Sequence, residues 1–179
     1  SPCSSGLASA EAWAMERYAE AMIVHRLDQS TSGVLLIAKN KRAHEALQRQ
    51  FISRTVKKSY VALLDGIVEC QHGEIHLPLK LDYDNRPRQM VAQDGRPAHT
   101  IYDVEGYDAG CTRVRFYPVT GRTHQLRVHA AHADGLATPI VGDDIYGTRA
   151  ERLMLHAETI EFMHPITEEQ ISLTSKAEF

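Results

Sequence analysis

The chain has few cysteines, few aromatic residues and no long hydrophobic run. Of its 179 residues, 3 are cysteine, 1 is tryptophan and 7% are aromatic. The cysteines (Cys3, Cys70 and Cys111) are odd in number and widely spaced, which argues against a disulfide framework and favours a reducing, cytoplasmic setting. The longest apolar run, residues 34–38, is far too short to cross a bilayer. We therefore expect one ordinary globular domain with no membrane-spanning segment.

Several motifs of nucleotide, metal and hydrolase chemistry are also missing. The sequence has no glycine-rich phosphate loop, dinucleotide fingerprint, nucleophile elbow or HExxH pattern. His124, His129 and His132 lie close together in the sequence, but no acidic residue or cysteine stands beside them at ligand spacing. We therefore expect no metal site among these histidines.

The charge is small in total but uneven along the chain. The net charge is −3, from 20 Lys and Arg against 23 Asp and Glu. Basic side chains concentrate in residues 39–58, 80–96 and 113–127. Each cluster alone is typical of a solvated surface. Because phosphate binding depends on the local field rather than on net charge, the three together predict a basic groove for nucleic acid.

The alternation of apolar and polar residues predicts an α+β fold, a mixed sheet with helices packed on it. No internal repeat or linker is visible, so we expect a single domain over residues 1–179. Helices are predicted for residues 10–21, for residues 41–54 with Asn40 as the N-cap, and for residues 123–133. Strands are predicted for residues 23–27, 34–39, 59–64, 73–81, 99–104, 112–118, 153–162 and 170–174.

One carboxylate stands out because it lies in a polar turn between two apolar runs. Asp28 ends the motif His25-Arg26-Leu27-Asp28, and Thr31-Ser32-Gly33 follows it. A carboxylate at such a strand end loses hydration unless a cation or hydrogen-bond donors compensate for it. Either Asp28 accepts hydrogen bonds from its own turn, or it has a cationic partner elsewhere.

Two other segments offer partners for such a carboxylate. The donor-rich segment 120–129 contains Arg127, which would keep Asp28 ionised if it pointed into a cleft, although a solvated surface helix is equally compatible. Tyr60 follows two lysines within a predicted strand. A strand tyrosine is either half-buried core or a ring that stacks on a base, with a hydroxyl able to relay a proton.

These motifs together resemble the RluA-type pseudouridine synthases. The Asp28 motif is similar to that family's signature, and the similarity extends over residues 22–179, with Asn85-Arg86-Pro87 most similar to the ribosomal large-subunit synthase A branch. The further blocks, in the family's order, are Lys58-Ser59-Tyr60-Val61-Ala62, Asn85-Arg86-Pro87, residues 121–129, residues 139–143 with Tyr146-Gly147, and Leu155-His156-Ala157.

The resemblance implies a mixed, largely antiparallel central sheet with flanking helices. It also implies a single catalytic domain that lacks part of the family's N-terminal segment and has no appended RNA-binding domain. The implied reaction converts uridine to pseudouridine in structured RNA (23S rRNA, a tRNA stem-loop or both), without cofactor or metal. The implied protein is a cytoplasmic monomer that does not bind membranes.

The resemblance also implies roles for individual residues. Asp28 is the nucleophile, Arg127 its cationic partner, and Tyr60 stacks on the uracil and accepts a proton. Attack at C1′, attack at C6 and elimination across C1′–C2′ all stay open. Arg26 resembles the residue that takes the place of the flipped-out base. The expected RNA-binding residues are Arg26, Lys58, Arg86, Arg122 and His124.

Two other functions fit the same sequence. An RNA-binding module without catalysis would use the basic clusters, but it would gain nothing from an anion in a basic groove. A histidine-based metallohydrolase would use His124, His129 and His132, and it would be inhibited by chelators.

Overall fold

The computed structural model of the protein describes residues 10–179. This part of the chain divides into two compact units, one of residues 10–26, 35–56 and 162–171, and one of Leu27–Val34, Lys57–Glu161 and Ser172–Phe179. None of the described helices is long and apolar enough to cross a membrane. Cys3, one of the three cysteines, lies outside the described residues.

The described elements alternate short helices with many strands. The helices are α1 (Ala10–Arg17), α2 (Lys41–Ile52) and α3 (Gln125–Ala131). The strands are β1 (Met22–Ile23), β2 (Ser32–Gly33), β3 (Ile37–Ala38), β4 (Lys57–Leu64), β5 (His72–Ile75), β6 (Leu79–Leu81), β7 (Gln89–Val91), β8 (Thr100–Asp108), β9 (Cys111–Pro118), β10 (Leu155–Met163) and β11 (Gln170–Thr174).

The first unit contains α1, β1, β3 and α2. Strands β1 and β3 pair antiparallel, with Met22 opposite Ala38. The predicted N-cap of α2 is confirmed, because the Asn40 side chain accepts a hydrogen bond from the Ala43 N–H at 2.9 Å. Ala43 and Leu47, one turn apart, are the buried residues of α2. The strands predicted over residues 23–27 and 34–39 shrink to two residues each.

The largest sheet has the order β11-β10-β4-β9-β8-β5, and β2 pairs with β10 off this path. The β10–β4, β4–β9, β9–β8 and β8–β5 pairs are antiparallel, whereas β2 runs parallel to β10. The predicted α+β fold with a mixed, largely antiparallel sheet is therefore confirmed. Strand β5 forms one edge of this sheet.

Two sequence predictions in the second unit need correction. The predicted strand over residues 73–81 is divided into β5 and β6, because the segment between them contains Pro78, which has no N–H to donate to a sheet ladder. The predicted helix over residues 123–133 begins only at Gln125, because His124 has a left-handed backbone with φ of 54°. Strands β2 and β7 were not predicted.

The core of the second unit forms where α3 packs on β4 and β9. Tyr60, Ala62 and Leu64 alternate along β4 and belong to one buried cluster with Phe116 of β9 and Leu126 of α3. Burying these apolar side chains supplies most of the driving force for packing. The same packing brings the polar side chains of β4 and of the α3 N-terminus into one region.

Candidate active site

The turn that carries Asp28 is held against β10 by a close backbone contact. The Thr31 N–H donates to the Asp28 carbonyl at 2.9 Å, and the Val34 N–H donates to the Ala157 carbonyl at 2.9 Å. Gly33, with φ of 115°, lies so near β10 that an added Cβ would come within 2.1 Å of the Ala157 oxygen. Only glycine fits there, so the Thr31-Ser32-Gly33 part of the motif fixes the turn.

A buried hydroxyl in this turn has no partner. Among the described residues, Thr31 Oγ1 is the one buried side-chain nitrogen or oxygen without a hydrogen bond. Leaving such a group unsatisfied costs about 1–3 kcal/mol. The turn therefore keeps a free polar group three residues from Asp28.

The negative charge of Asp28 contributes to the pKa shifts of three other predicted site residues. Among the causes of their pKa shifts, Asp28 contributes to the raised pKa of Tyr60, raises the pKa of Arg127, and opposes the lowering of the pKa of His124. The fold thus brings together the three predicted catalytic residues and one predicted RNA-binding residue.

Tyr60 lies on the core-facing side of β4 and holds its proton firmly. It is 9% exposed, and burial, followed by the negative charge of Asp28, raises its pKa to about 12. At neutral pH the side chain is therefore a phenol. A phenol of this pKa is a hydrogen-bond donor and a stacking surface, and a poor proton acceptor.

Lys58 lies two residues before Tyr60 on the same face of β4. Burial lowers the pKa of its ammonium group. A Cβ added to Gly121 would lie 3.6 Å from Lys58 Nζ, so this ammonium group sits against the loop before α3. The fold thus brings Lys58 to the segment that carries Arg122 and His124.

Arg127 does not form the expected direct ion pair with Asp28 and pairs with Asp143 instead. Arg127 donates from Nε to Asp143 Oδ2 at 2.9 Å and from the guanidinium Nη2 to Asp143 Oδ1 at 2.6 Å. A weaker contact reaches Asp144 at 3.2 Å. No hydrogen bond or ion pair joins Arg127 to Asp28 in residues 10–179. Arg127 acts on Asp28 through its charge, while Asp143 holds the guanidinium in place.

The Arg127–Asp143 pair is fully withdrawn from solvent. The Asp143 side chain is 0% exposed and that of Arg127 is 4% exposed. Burial acts to raise the pKa of Asp143, but hydrogen bonds from Arg127 and from the backbone N–H groups of Tyr146 and Ile145 outweigh it and lower that pKa. For Arg127, burial acts against the charged form, and the bonds to Asp143 reverse this, so its pKa is raised.

Asp143 was not among the predicted site residues. Its block, residues 139–143 with Tyr146-Gly147, entered the sequence analysis only as part of the resemblance. A buried arginine requires a buried carboxylate, and this requirement is the signal that could have found Asp143. Gly142, with φ of 79°, allows the sharp turn before Asp143, since an added Cβ would lie 1.8 Å from the Arg152 carbonyl oxygen.

His124 caps α3 from a left-handed backbone conformation and bonds to Tyr146. The Gln89 N–H donates to Tyr146 Oη at 2.7 Å, and His124 Nδ1 lies 2.8 Å from the same oxygen. Burial lowers the pKa of His124, so the ring is neutral at pH 7.

A buried hydrogen-bond chain fixes the loop before α3. Thr120 Oγ1 donates to Gln125 Oε1 at 2.7 Å, and Gln125 Nε2 donates to Thr100 Oγ1 at 2.9 Å. Thr100 in turn contacts His129 Nδ1 at 2.9 Å, and His129 Nε2 lies 3.1 Å from the Leu77 carbonyl oxygen. His129 is therefore a structural residue. The structure does not gather it with His124 and His132 as a metal site.

The remaining predicted RNA-binding residues lie on the surface. Arg86 is exposed, and its guanidinium carbon lies 5.2 Å from the ring centre of exposed Tyr83. Arg122 Nε donates to the Pro97 carbonyl at 3.0 Å. Arg26 is exposed and belongs to the first unit. A surface cleft of about 420 Å³ is lined by Asn85, Arg86, Pro87, Arg88, Asp144 and Ile145.

Comparison with known proteins agrees with these features. The model of the family described as RNA pseudouridylate synthase matches residues 5–132. The dual-specificity RNA pseudouridine synthase RluA of Vibrio parahaemolyticus is 48% identical over 161 residues, which are 84% of this chain and 63% of that protein. RluA of Pasteurella multocida is 44% identical, over 92% of this chain and 77% of that protein. RluA of Escherichia coli is 43% identical, over 90% and 76%.

A solved structure agrees as well. The human protein named RNA Pseudouridylate Synthase Domain Containing 1 superposes with a TM-score of 0.79 and 32% identity, over 92% of this chain and 72% of that one. The chain spans 63% of the length of the Vibrio relative. The RluA-type resemblance is thus confirmed by matches that cover most of the chain, and the chain belongs to the RNA pseudouridylate synthase family.

Proposed function

We propose that this chain converts uridine to pseudouridine in RNA. The observation that carries the proposal is the position of Asp28, whose charge acts on Tyr60, His124 and Arg127 within one unit. A site of one half-buried carboxylate with a fixed guanidinium nearby suits nucleophilic catalysis by the carboxylate. The names of the relatives, RNA pseudouridine synthases, support the same reaction.

In this proposal Asp28 is the nucleophile, and the Arg127–Asp143 pair is its electrostatic support. The bidentate contact holds the guanidinium rigidly, so its positive charge is already in place near the nucleophile and needs no side-chain rearrangement. Tyr60 supplies a ring for stacking on the uracil and a hydroxyl that keeps its proton. Thr31 Oγ1 is a free hydrogen-bonding group in the same turn.

The basic residues bind the RNA in this proposal. Arg86 and Arg122 contact the backbone, Lys58 and His124 contact the target nucleotide, and Arg26 takes the place of the flipped base. An arginine suits this replacement because its planar guanidinium stacks on bases and donates to phosphates. The protein acts as a cytoplasmic monomer.

The RNA substrates in this proposal are 23S rRNA and tRNA, and the dual specificity named for the bacterial relatives supports a choice of two RNA classes. The test uses the purified protein and two RNA pools, 23S rRNA and tRNA, each labelled with tritium at uracil C5. Because formation of the C–C glycosidic bond displaces the hydrogen at C5, tritium release reports turnover. We expect release from both pools, with pseudouridine found after digestion to nucleosides.

The other functions are outcomes of the same test. RNA binding without release from either pool would identify a binding module and refute the proposal. Release that a chelator abolishes would refute the metal-free mechanism and favour a metalloenzyme.

A further inference from the structure

Two histidines and a glutamate meet on the outer face of the sheet edge, away from every residue discussed above as catalytic. Glu74 belongs to β5, His76 follows β5, and His99 precedes β8. Both imidazole Nε2 atoms lie against one carboxylate oxygen, Glu74 Oε2, at 3.1 Å from His76 and 2.9 Å from His99. The two rings stack with their centres 4.0 Å apart.

Strand pairing explains why the three side chains share a face. Ile75 lies opposite Thr100 in the β5–β8 ladder, so His76 and His99 follow as the next opposing pair. Glu74 is two residues from His76 and points to the same side. Ile75 and Thr100, on the other side, are buried, so the cluster faces outward.

The backbone at both histidines is held by part-buried hydrogen bonds. The His99 carbonyl accepts from Gln125 Nε2 at 3.0 Å. Leu77, next to His76, has its carbonyl oxygen 3.1 Å from His129 Nε2. The histidine side chains therefore start from a rigid frame and lose little backbone freedom on binding a ligand.

We propose that Glu74, His76 and His99 bind a divalent first-row transition-metal ion, for which Zn²⁺ is the probe. Two imidazoles and a carboxylate form a common ligand set for zinc, with metal–ligand bonds of about 2.0–2.2 Å. Tetrahedral bonds of that length separate ligand atoms by about 3.3 Å, so the two histidine–glutamate distances need to widen by only a few tenths of an ångström. One ligand atom from each of the three residues lies within 4.8 Å of the other two. The outward side is open for water as a further ligand.

Spacing along the chain does not reveal this site, which is why the sequence led us to expect no metal. Its ligands come from two strands and meet only through the β5–β8 register. The ion would cross-link the edge strand β5 to β8. The proposal is independent of the uridine chemistry, since none of the three residues belongs to the Asp28 site.

Competition between the purified protein and a chromophoric zinc chelator tests the proposal. We expect one zinc ion to bind, with affinity reduced at least about 100-fold in His76→Ala and His99→Ala, since losing a ligand costs more than the 10–100-fold of a supporting residue. Amides of β5 should gain protection from hydrogen exchange when Zn²⁺ is added to the wild type. Circular dichroism of both variants verifies that they are folded.

Two matched controls separate this site from other ligands nearby. His72→Ala, on the same strand, and Cys70→Ser should bind zinc as the wild type does. Zinc binding that survives both His76→Ala and His99→Ala overturns the proposal. So does a Co²⁺ complex with a thiolate charge-transfer band that Cys70→Ser removes, because it would assign the ion to the cysteine.

Discussion

At the scale of single residues, the site depends on groups whose protonation is set by their surroundings. Burial and the charge of Asp28 keep Tyr60 protonated, and Asp143 keeps Arg127 charged and stationary. Both groups are thus held protonated, Tyr60 as a neutral phenol and Arg127 as a cation. This is the arrangement expected where a carboxylate works as a nucleophile at neutral pH.

Tyr60→Phe tests the role of the phenol. Removing the hydroxyl keeps the stacking ring but deletes a hydrogen-bond donor, so we expect RNA affinity within about twofold of the wild type and turnover reduced by about 10²-fold or more. Because the pKa of Tyr60 is about 12, the wild-type rate should show no ionisation of this residue below about pH 10. Tyr117→Phe, an exposed tyrosine of β9, is the control. Unchanged turnover in Tyr60→Phe would refute a role for the hydroxyl.

Arg127→Met tests the buried ion pair between Arg127 and Asp143. The substitution leaves the Asp143 carboxylate buried without a partner, so we expect a loss of about 3–5 kcal/mol in the free energy of unfolding. The double variant Arg127→Met/Asp143→Asn should recover part of this loss, because a neutral amide is less costly to bury. Urea unfolding of the three proteins measures both effects. An Arg127→Met protein as stable as the wild type would contradict the pairing.

At the scale of elements, short motifs predicted the structure well where local interactions decide it. Asn40 caps α2, and β4, β9 and β11 lie close to the predicted residues. Elements that depend on tertiary contacts were harder to predict from the sequence. Strand β2 exists because Gly33 approaches β10, and α3 starts late because His124 turns left-handed to meet Tyr146. Neither partner is near in sequence.

The N-cap of α2 gives a prediction at this scale. Asn40→Ala removes the acceptor for the Ala43 N–H, so we expect a loss of about 1 kcal/mol in the free energy of unfolding. Asn40→Asp keeps an acceptor at the same place and should lie within a few tenths of a kcal/mol of the wild type. Equal destabilisation by both substitutions would show that the acceptor at residue 40 is not what stabilises the helix. Chemical denaturation followed by circular dichroism distinguishes these results.

At the scale of the whole molecule, the sequence predicted the family and the fold class, because both rest on motifs that lie within short segments. The partner of Arg127 and the cluster of Glu74, His76 and His99 were missed. Both depend on which strands and loops become neighbours, and that information is not present in any single segment. The correct sheet order would have been needed to find either.

Stability of the whole protein should fall in mild acid because of His129. Burial lowers its pKa to about 4 from 6.5. Below pH 6.5 the imidazole is protonated in the unfolded chain, whereas in the folded protein it stays neutral down to about pH 4. The free energy of unfolding is therefore highest above pH 6.5 and decreases as the pH falls from 6.5 to about 4. The contribution is about 3 kcal/mol.

The free energy of unfolding measured from about pH 7 to about pH 4 checks this prediction. His129→Gln, even if less stable throughout, should show a smaller decrease over that range. His72→Gln, on the surface of β5, serves as the matched control and should keep the wild-type slope. A wild-type slope in His129→Gln would contradict the assignment to this residue.

The central claim is that Asp28 performs the reaction, and one comparison tests it most directly. Tritium release from uracil-labelled RNA is measured in wild type, Asp28→Asn and Asp65→Asn, together with the RNA affinity of each protein. Asn has the shape of Asp without its charge, so we predict that Asp28→Asn binds RNA and releases no tritium. Asp65→Asn, an exposed carboxylate in the turn after β4, should match the wild type. Release by Asp28→Asn at the wild-type rate would contradict the account.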